Sequence, residues 1–329
     1  MTEANSSNNT MLKTEIKQAL SALKNSSIKK TAREFFNVLG YSSERTLELD
    51  GSPQAFIKKF SSLTGKPGTK TEKSFLKAVD SVHIIFQVTD EEIRKSGQMN
   101  LLEGNDFIKN NIKSFLFIAV KLKQADYARG KYAEMTREIN KRFGMPTIVL
   151  FTNRGQATVA FIHRREHKNQ KDRDVLGKVS LIRNVDCNNP HRAHLDILAE
   201  LSLDHRLGWV EQNQKQQNFD GLLAAWLAKL DTEELNKRFY KELFNWFQWA
   251  VETAKFPCPA NKPVPMEDHI IRLITRILFV WFVKEKGLVT EELFIEARIS
   301  PLLKKYSRDN DDYYRAVLQN LFLPRSTPK

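Results

Sequence analysis

Residues Ser114 to Lys123 read Ser-Phe-Leu-Phe-Ile-Ala-Val-Lys-Leu-Lys, an apolar run that ends in a Lys-x-Lys. A divalent-metal nuclease site needs an acid from one strand, then Glu or Asp two positions before a Lys on the next. The acids hold Mg²⁺, which activates water and stabilises the charge developing on phosphorus, and the Lys orients the nucleophile. Lys123 suits the last position and Asp106 the first, but Lys121 occupies the middle one, where a metal ligand belongs. An ammonium cannot coordinate a cation, so the pattern favours binding nucleic acid over cutting it. A carboxylate could still reach the slot from Asp126, Glu134 or the Asp90-Glu91-Glu92 cluster, whose distances from Lys123 the sequence does not fix.

Charge points the same way. The 329 residues carry 52 Lys and Arg against 39 Asp and Glu, a net +13 with a pI near 9.6. Such a balance makes nucleic acid the leading partner and an anionic membrane surface the second. Residues 121–183 alone hold fifteen Lys or Arg against six Asp or Glu. Lys121, Arg129, Lys131, Arg137, Lys141, Arg142, Arg154, Arg164 and Arg165, with Lys168 and Lys171, are the expected contacts to the phosphates of double-stranded DNA. Binding by such a stripe releases counterions and weakens steeply with salt. The competing reading is a solvated charged surface.

Other groups carry less. His191 and His194 stand three apart on an expected helix, a spacing that can ligate metal, but no third ligand is near in sequence. The aromatics Phe239, Tyr240, Phe244, Trp246, Phe247 and Trp249 are dense at helical spacing and are expected in a packed core rather than as base-stacking platforms. Cys187 and Cys258 are isolated, which suits a reducing cytoplasm and predicts no disulfide.

The elements that must position these groups follow from periodicity. Val82–Val88 is β-branched and aromatic, and the nearly continuous apolar run Phe115–Leu122 is expected as a central strand covered on both faces. Tyr127–Phe143 is an amphipathic crossover helix with Gly144 after it, leading into a strand at Thr147–Thr152. Asn153-Arg154-Gly155 then turns the chain into Thr158–His163, and Val179–Ile182 adds a further strand. After Asp186 the pattern is helical throughout, with Pro190–Leu201, Phe219–Leu230, Thr232–Phe256, Met266–Lys286, Thr290–Tyr306 and Asp311–Phe322 as helices. The expected class is α+β: a polar, disordered tail over 1–10, an α/β domain over 11–186 and an all-α helical domain over 187–329. No secretory signal opens the sequence, and the strongest apolar run, Ile277–Val283, is far short of the roughly 20 residues of a membrane span.

Several separated blocks, in order, resemble one known family: the Phe115–Lys123 strand, Asp126-Tyr-Ala-Arg129, Arg137-Glu-Ile-Asn140, Asn189-Pro-His-Arg-Ala-His194, Phe239–Phe247 and Leu273–Gly287. Together they are similar to the N-terminal region of the large type IIG restriction-modification fusion enzymes, over about Val82 to Phe322. The resemblance implies a restriction-endonuclease-like core followed by a helical connector. In the family an adenine-specific DNA methyltransferase using S-adenosylmethionine then follows. Relatives commonly have Glu-Leu-Lys where this chain has Lys121-Leu122-Lys123, so Mg²⁺ is expected only if the nuclease site is active. The chain has no Asn-Pro-Pro-Tyr or Asp-Pro-Pro-Tyr motif and no glycine-rich cofactor loop after a strand, so no methylation is expected of it. The reading is a DNA-binding, nuclease-like front half of a defence system, truncated or separately encoded. The alternative is a non-enzymatic adaptor that docks onto a separate methyltransferase subunit.

Overall fold

The computed structural model describes residues 2–24, 27–60, 68–94, 107, 113–124, 127–162, 164–167, 170–203, 218–230, 232–255, 264–285 and 288–302. Two compact units result, Met1–Leu235 and Asn236–Lys329.

In the first unit, apolar residues at helical spacing bury one stripe each of α1 (Thr2–Ala22) and α2 (Ile28–Val38). Residues 2–10, expected as a disordered tail, are the first turns of α1. Two short helices follow, each with a side-chain cap. Ser52 accepts the Ala55 N–H at the start of α3 (Pro53–Lys59), and Thr69 accepts the Glu72 N–H at the start of α4 (Lys70–Ala78). The chain then alternates strand and helix: β1 (Val79–Thr89), α5 (Asp90–Arg94), β2 (Ser114–Leu122), α6 (Arg129–Asn140), β3 (Thr147–Asn153) and β4 (Gln156–Ile162). It continues through β5 (Arg164–His167), β6 (Gln170–Leu176), β7 (Ser180–Asp186), α7 (Arg192–Glu200) and α8 (Phe219–Lys229).

Five strands form one mixed sheet in the order β1-β2-β3-β4-β7, while β5 and β6 pair separately as a ribbon that periodicity alone did not reveal. Within the sheet only β2 and β3 run parallel, which requires the crossover that α6 supplies. The β3–β4 connection is a two-residue turn: Asn153 pairs with Gln156, and Arg154 (φ 20°) and Gly155 (φ 95°) take the positive φ values that match such a turn to the strand twist.

Central strand β2 is buried on both faces, as its continuous apolar sequence requires. Phe115, Phe117 and Ala119 face a core built with α1, α2, α7 and α8, and Leu116, Ile118 and Val120 face one built with α3, α4 and α6. Layers of helix on both sides therefore clamp the sheet and fix the ends of its strands.

The first unit extends to Leu235, past the division expected after 186, because α7 and α8 complete a core layer. Trp226 packs with its ring centroid 5.3 Å from that of Phe161, and its Nε1 donates to the Tyr41 hydroxyl at 2.7 Å. Tyr41 in turn donates to the Leu201 carbonyl at 2.5 Å. The second unit contains the remainder of α9 (Thr232–Thr253), then α10 (Met266–Glu285) and a short α11 (Glu296–Ile299). The helix expected over Asp311–Phe322 lies outside the described residues. None of the described helices is long and apolar enough to cross a membrane.

Candidate nucleic-acid interface

The Lys-x-Lys pair does not act as a unit. Lys121, the last but one residue of β2, points to the α1–α2 side of the sheet end, where its register partners are Ser81 on β1 and Thr152 on β3. Its ammonium lies 3.7 Å from the carboxylate of Asp80. Lys123, beyond the strand end, donates to the Leu76 carbonyl at 3.2 Å. There it meets the partial negative charge at the C-terminal end of α4, a placement that satisfies a cation without a nucleophile to orient.

Asp80 sits at a register shift between Val79 and Ser81, so it is the extra residue of a bulge in β1. A bulge re-aims one side chain without ending the strand, and here it delivers a carboxylate beside Lys121. Asp106, the acid expected for this slot, lies outside the described residues, as does Asp126. Glu134 on α6 is committed elsewhere: a hydrogen bond from Ser74, and then the Lys131 ammonium, hold its carboxyl below the usual range. Asp90 and Glu92 are taken by backbone donors, Asp90 accepting from the Phe219 N–H at the start of α8 at 2.6 Å and Glu92 from the nearby Thr89 N–H at 2.7 Å.

Around Lys121 opens a cleft of about 570 Å³. It lies beyond the carboxyl ends of the two parallel strands, the place where open α/β sheets present ligand sites. Asp80, Ser81, Lys121, Thr152 and Asn153 come from strand ends, Arg154 and Gly155 from the β3–β4 turn, and Leu23, Lys24, Ser27 and Ile28 from the α1–α2 corner. Gly155 lets the corner close: a Cβ there would lie 3.0 Å from the Lys24 Cε. Cys187 lines the floor. Burial, reinforced by Asp186 and opposed by Lys24, pushes its thiol up to about 11, so it adds no charge to the cleft at neutral pH. Among the described residues the charged lining is therefore three cations, Lys24, Lys121 and Arg154, against Asp80.

Several expected DNA contacts are turned inward instead. Arg142 is buried and leaves the stripe: its guanidinium donates to the Phe60 carbonyl at 2.7 Å, Glu138 at 2.9 Å and Glu72 at 3.2 Å. Lys131 donates to Ser74 and to Glu134, and Lys141 to Glu138 at 3.1 Å. Amphipathic spacing identified the polar face of α6 but not the carboxylates that α4 and α6 bring against it. Arg129, Arg137 and Arg154 remain exposed. Arg164 and Arg165 stand on β5, on the separate ribbon.

His191 serves as the N-cap of α7, its Nδ1 accepting the Ala193 N–H at 3.2 Å, and its ring meets His194 edge-on at 6.2 Å. Burial, with His191 second, lowers the His194 pKa. Lys24 and Asp80 are the cleft residues that the sequence left unmarked. Asp80 lies just before the β-branched run Val82–Val88, and nothing local in the sequence tells that the end of α1 returns to the sheet.

No family model, no curated protein and no solved structure matches the chain.

Proposed function

We propose that this chain is the DNA-binding, nuclease-like part of a restriction-modification system and that it holds DNA without cutting it. The observation that carries the reading is the occupancy of the sheet-end slot. Where a metal-binding site would place a second carboxylate beside Asp80, Lys121 puts an ammonium 3.7 Å away, with Lys24 and Arg154 lining the same cleft. Support also comes from the order of elements, in which a bulged acid on β1 opposes the end of β2 and a crossover helix leads to a parallel neighbour. That order agrees with the restriction-endonuclease-like core that the sequence resemblance implies. The Asp80–Lys121 pair is about half exposed on both sides, and such pairs contribute only ~0–1 kcal/mol, so a phosphate oxygen can displace the carboxylate at little cost.

Binding of a labelled DNA duplex across a salt series tests the first half. The affinity falls with rising salt, and Arg137→Gln, which removes an exposed cation, lowers the slope by about one. An affinity indifferent to ionic strength would refute the phosphate-binding reading. A plasmid-nicking assay with Mg²⁺ and with Mn²⁺ tests the second half: the wild type leaves the plasmid intact. Nicking by the wild type that Lys123→Ala abolishes would show instead that a working nuclease centre forms.

A second reading has its own observation. In the second unit, Trp249 on α9 and Ile271, Leu278 and Trp281 on α10 are exposed large apolar side chains, more than half of Trp249, Ile271 and Trp281 being open to solvent. Apolar patches of this kind mark protein-binding faces. This favours an adaptor role in which the helical unit docks onto a separately encoded DNA methyltransferase. Co-purification with such a subunit, lost in Trp281→Glu, is the expected result. An unaltered complex in that variant removes the α10 face from consideration.

A further inference from the structure

The cleft carries more than a general affinity for DNA. Its cations come from three separate elements, Lys24 from the end of α1, Lys121 from β2 and Arg154 from the β3–β4 turn, and only Asp80 opposes them. Three like charges held around one cavity repel each other and leave an excess of two positive charges, which an anion relieves. The backbone that holds them is closely constrained. Arg154 and Gly155 form a two-residue turn, and Lys24 lies against Gly155 where a Cβ would stand 3.0 Å from its Cε.

Charge and size together select the ligand. An internal phosphodiester of nucleic acid carries one negative charge, whereas a phosphomonoester carries about −1.5 to −2 near neutrality. A volume of about 570 Å³ falls within the roughly 300–1,000 Å³ of sites that enclose a small ligand, so the cleft has room for a nucleotide but not for a duplex. Leu23 and Ile28 offer an apolar wall, and Gln156 offers an amide group. We infer that the sheet-end cleft is a site for a nucleotide phosphomonoester, either the phosphorylated end of a nucleic-acid strand or a free mononucleotide. The inference rests on the nucleic-acid reading above and makes it specific: internal phosphates engage exposed cations outside the cleft, such as Arg129 and Arg137, and the terminal phosphate enters between Lys24, Lys121 and Arg154.

The test uses the full chain and two kinds of probe. In the first arm, a short duplex with frayed ends is measured by anisotropy with and without a 5′-phosphate, and again with a 3′-phosphate, against a closed circular competitor. A phosphate at one end tightens binding roughly tenfold, the loss of one charge-assisted contact in reverse. Lys24→Gln and Arg154→Gln each remove that gain, so that phosphorylated and unphosphorylated ends bind either variant alike. In the second arm, thermal stability is followed with a nucleoside 5′-monophosphate and with the nucleoside alone. Stabilisation by the monophosphate only, absent in Arg154→Gln, assigns the site to free nucleotide as well. Equal binding of phosphorylated and unphosphorylated ends, together with no stabilisation by the monophosphate, overturns the inference and leaves the DNA reading standing. Failure of every DNA probe while the monophosphate still stabilises the protein overturns the DNA reading and keeps the cleft. Unfolding curves of both variants that overlay the wild type exclude misfolding as the source of any loss.

Discussion

Asp80 and Lys121 face each other at 3.7 Å across the β1–β2 pair, and the contact exists because β1 bulges at Asp80. Without the extra residue the alternation of β1 would continue unbroken from Val79 to Val82, both of which enter the α3–α4–α6 core. The bulge frees one carboxylate from that alternation and presents it at the sheet end. The sheet end thereby carries one carboxylate beside the Lys121 ammonium.

That geometry predicts the effect of adding a second carboxylate. Lys121→Glu places a second carboxylate beside Asp80, and two like charges at this separation favour a shared cation. The variant is expected to be slightly less stable than the wild type in the presence of chelator and to gain several degrees in unfolding temperature with Mn²⁺ or Mg²⁺, as binding to the folded state alone requires. The wild type shows no such gain. A variant insensitive to both metals would mean that Asp80 is not aimed into the slot.

Buried and exposed arginines of the same helix region should behave oppositely. Arg142 neutralises Glu138, itself 3% exposed, and Glu72 within the α4–α6 contact. Arg142→Ala takes the guanidinium from Glu72 and leaves the buried Glu138 with Lys141 alone, and is expected to cost about 3 kcal/mol of unfolding free energy in urea. Arg137→Ala, at an exposed position, stays within about 0.5 kcal/mol of the wild type. Equal effects of the two would contradict the burial of Arg142.

These two arginines also show where the sequence was legible. The unbroken apolar run of β2 placed that strand to within one residue and the 3.6-residue period placed α6 to within three, since each is a local pattern answering to a core. The partners of the polar residues depend on what packs against them, and α4 is separated from α6 by two strands of the sheet sequence. The fate of Arg142, the arrival of Lys24 at the cleft and the bulge at Asp80 are all long-range facts. The extent of the first unit is another, decided by Trp226 reaching back to Tyr41.

Gly155 is expected to resist substitution. Its φ of 95° lies where a side chain is strained, and an added Cβ would also press on the Lys24 stem. Gly155→Ala should cost about 1–2 kcal/mol in urea unfolding, mostly from the backbone because Lys24 can shift. The displaced ammonium should then weaken DNA binding more at low salt than at high salt. A variant as stable as the wild type would show that the turn adopts another conformation.

The alkaline limb of stability should report Tyr41. Burial pushes its hydroxyl well above the ordinary tyrosine range, and the hydrogen bond from Trp226 only partly offsets this. With its folded pKa raised, the native protein keeps the phenolic proton over a pH range in which the unfolded chain has lost it. The stability this group contributes is therefore complete below about pH 10, the free tyrosine value, and declines as pH rises beyond it. Tyr41→Phe leaves the Trp226 N–H and the Leu201 carbonyl without their buried partner, at a cost of about 1–3 kcal/mol near neutrality. The variant also lacks the alkaline penalty, so urea midpoints of the two proteins should converge as pH climbs above about 10. A gap that stays constant through that range would place the Tyr41 hydroxyl in contact with solvent and would undo the link it makes between α7 and α8.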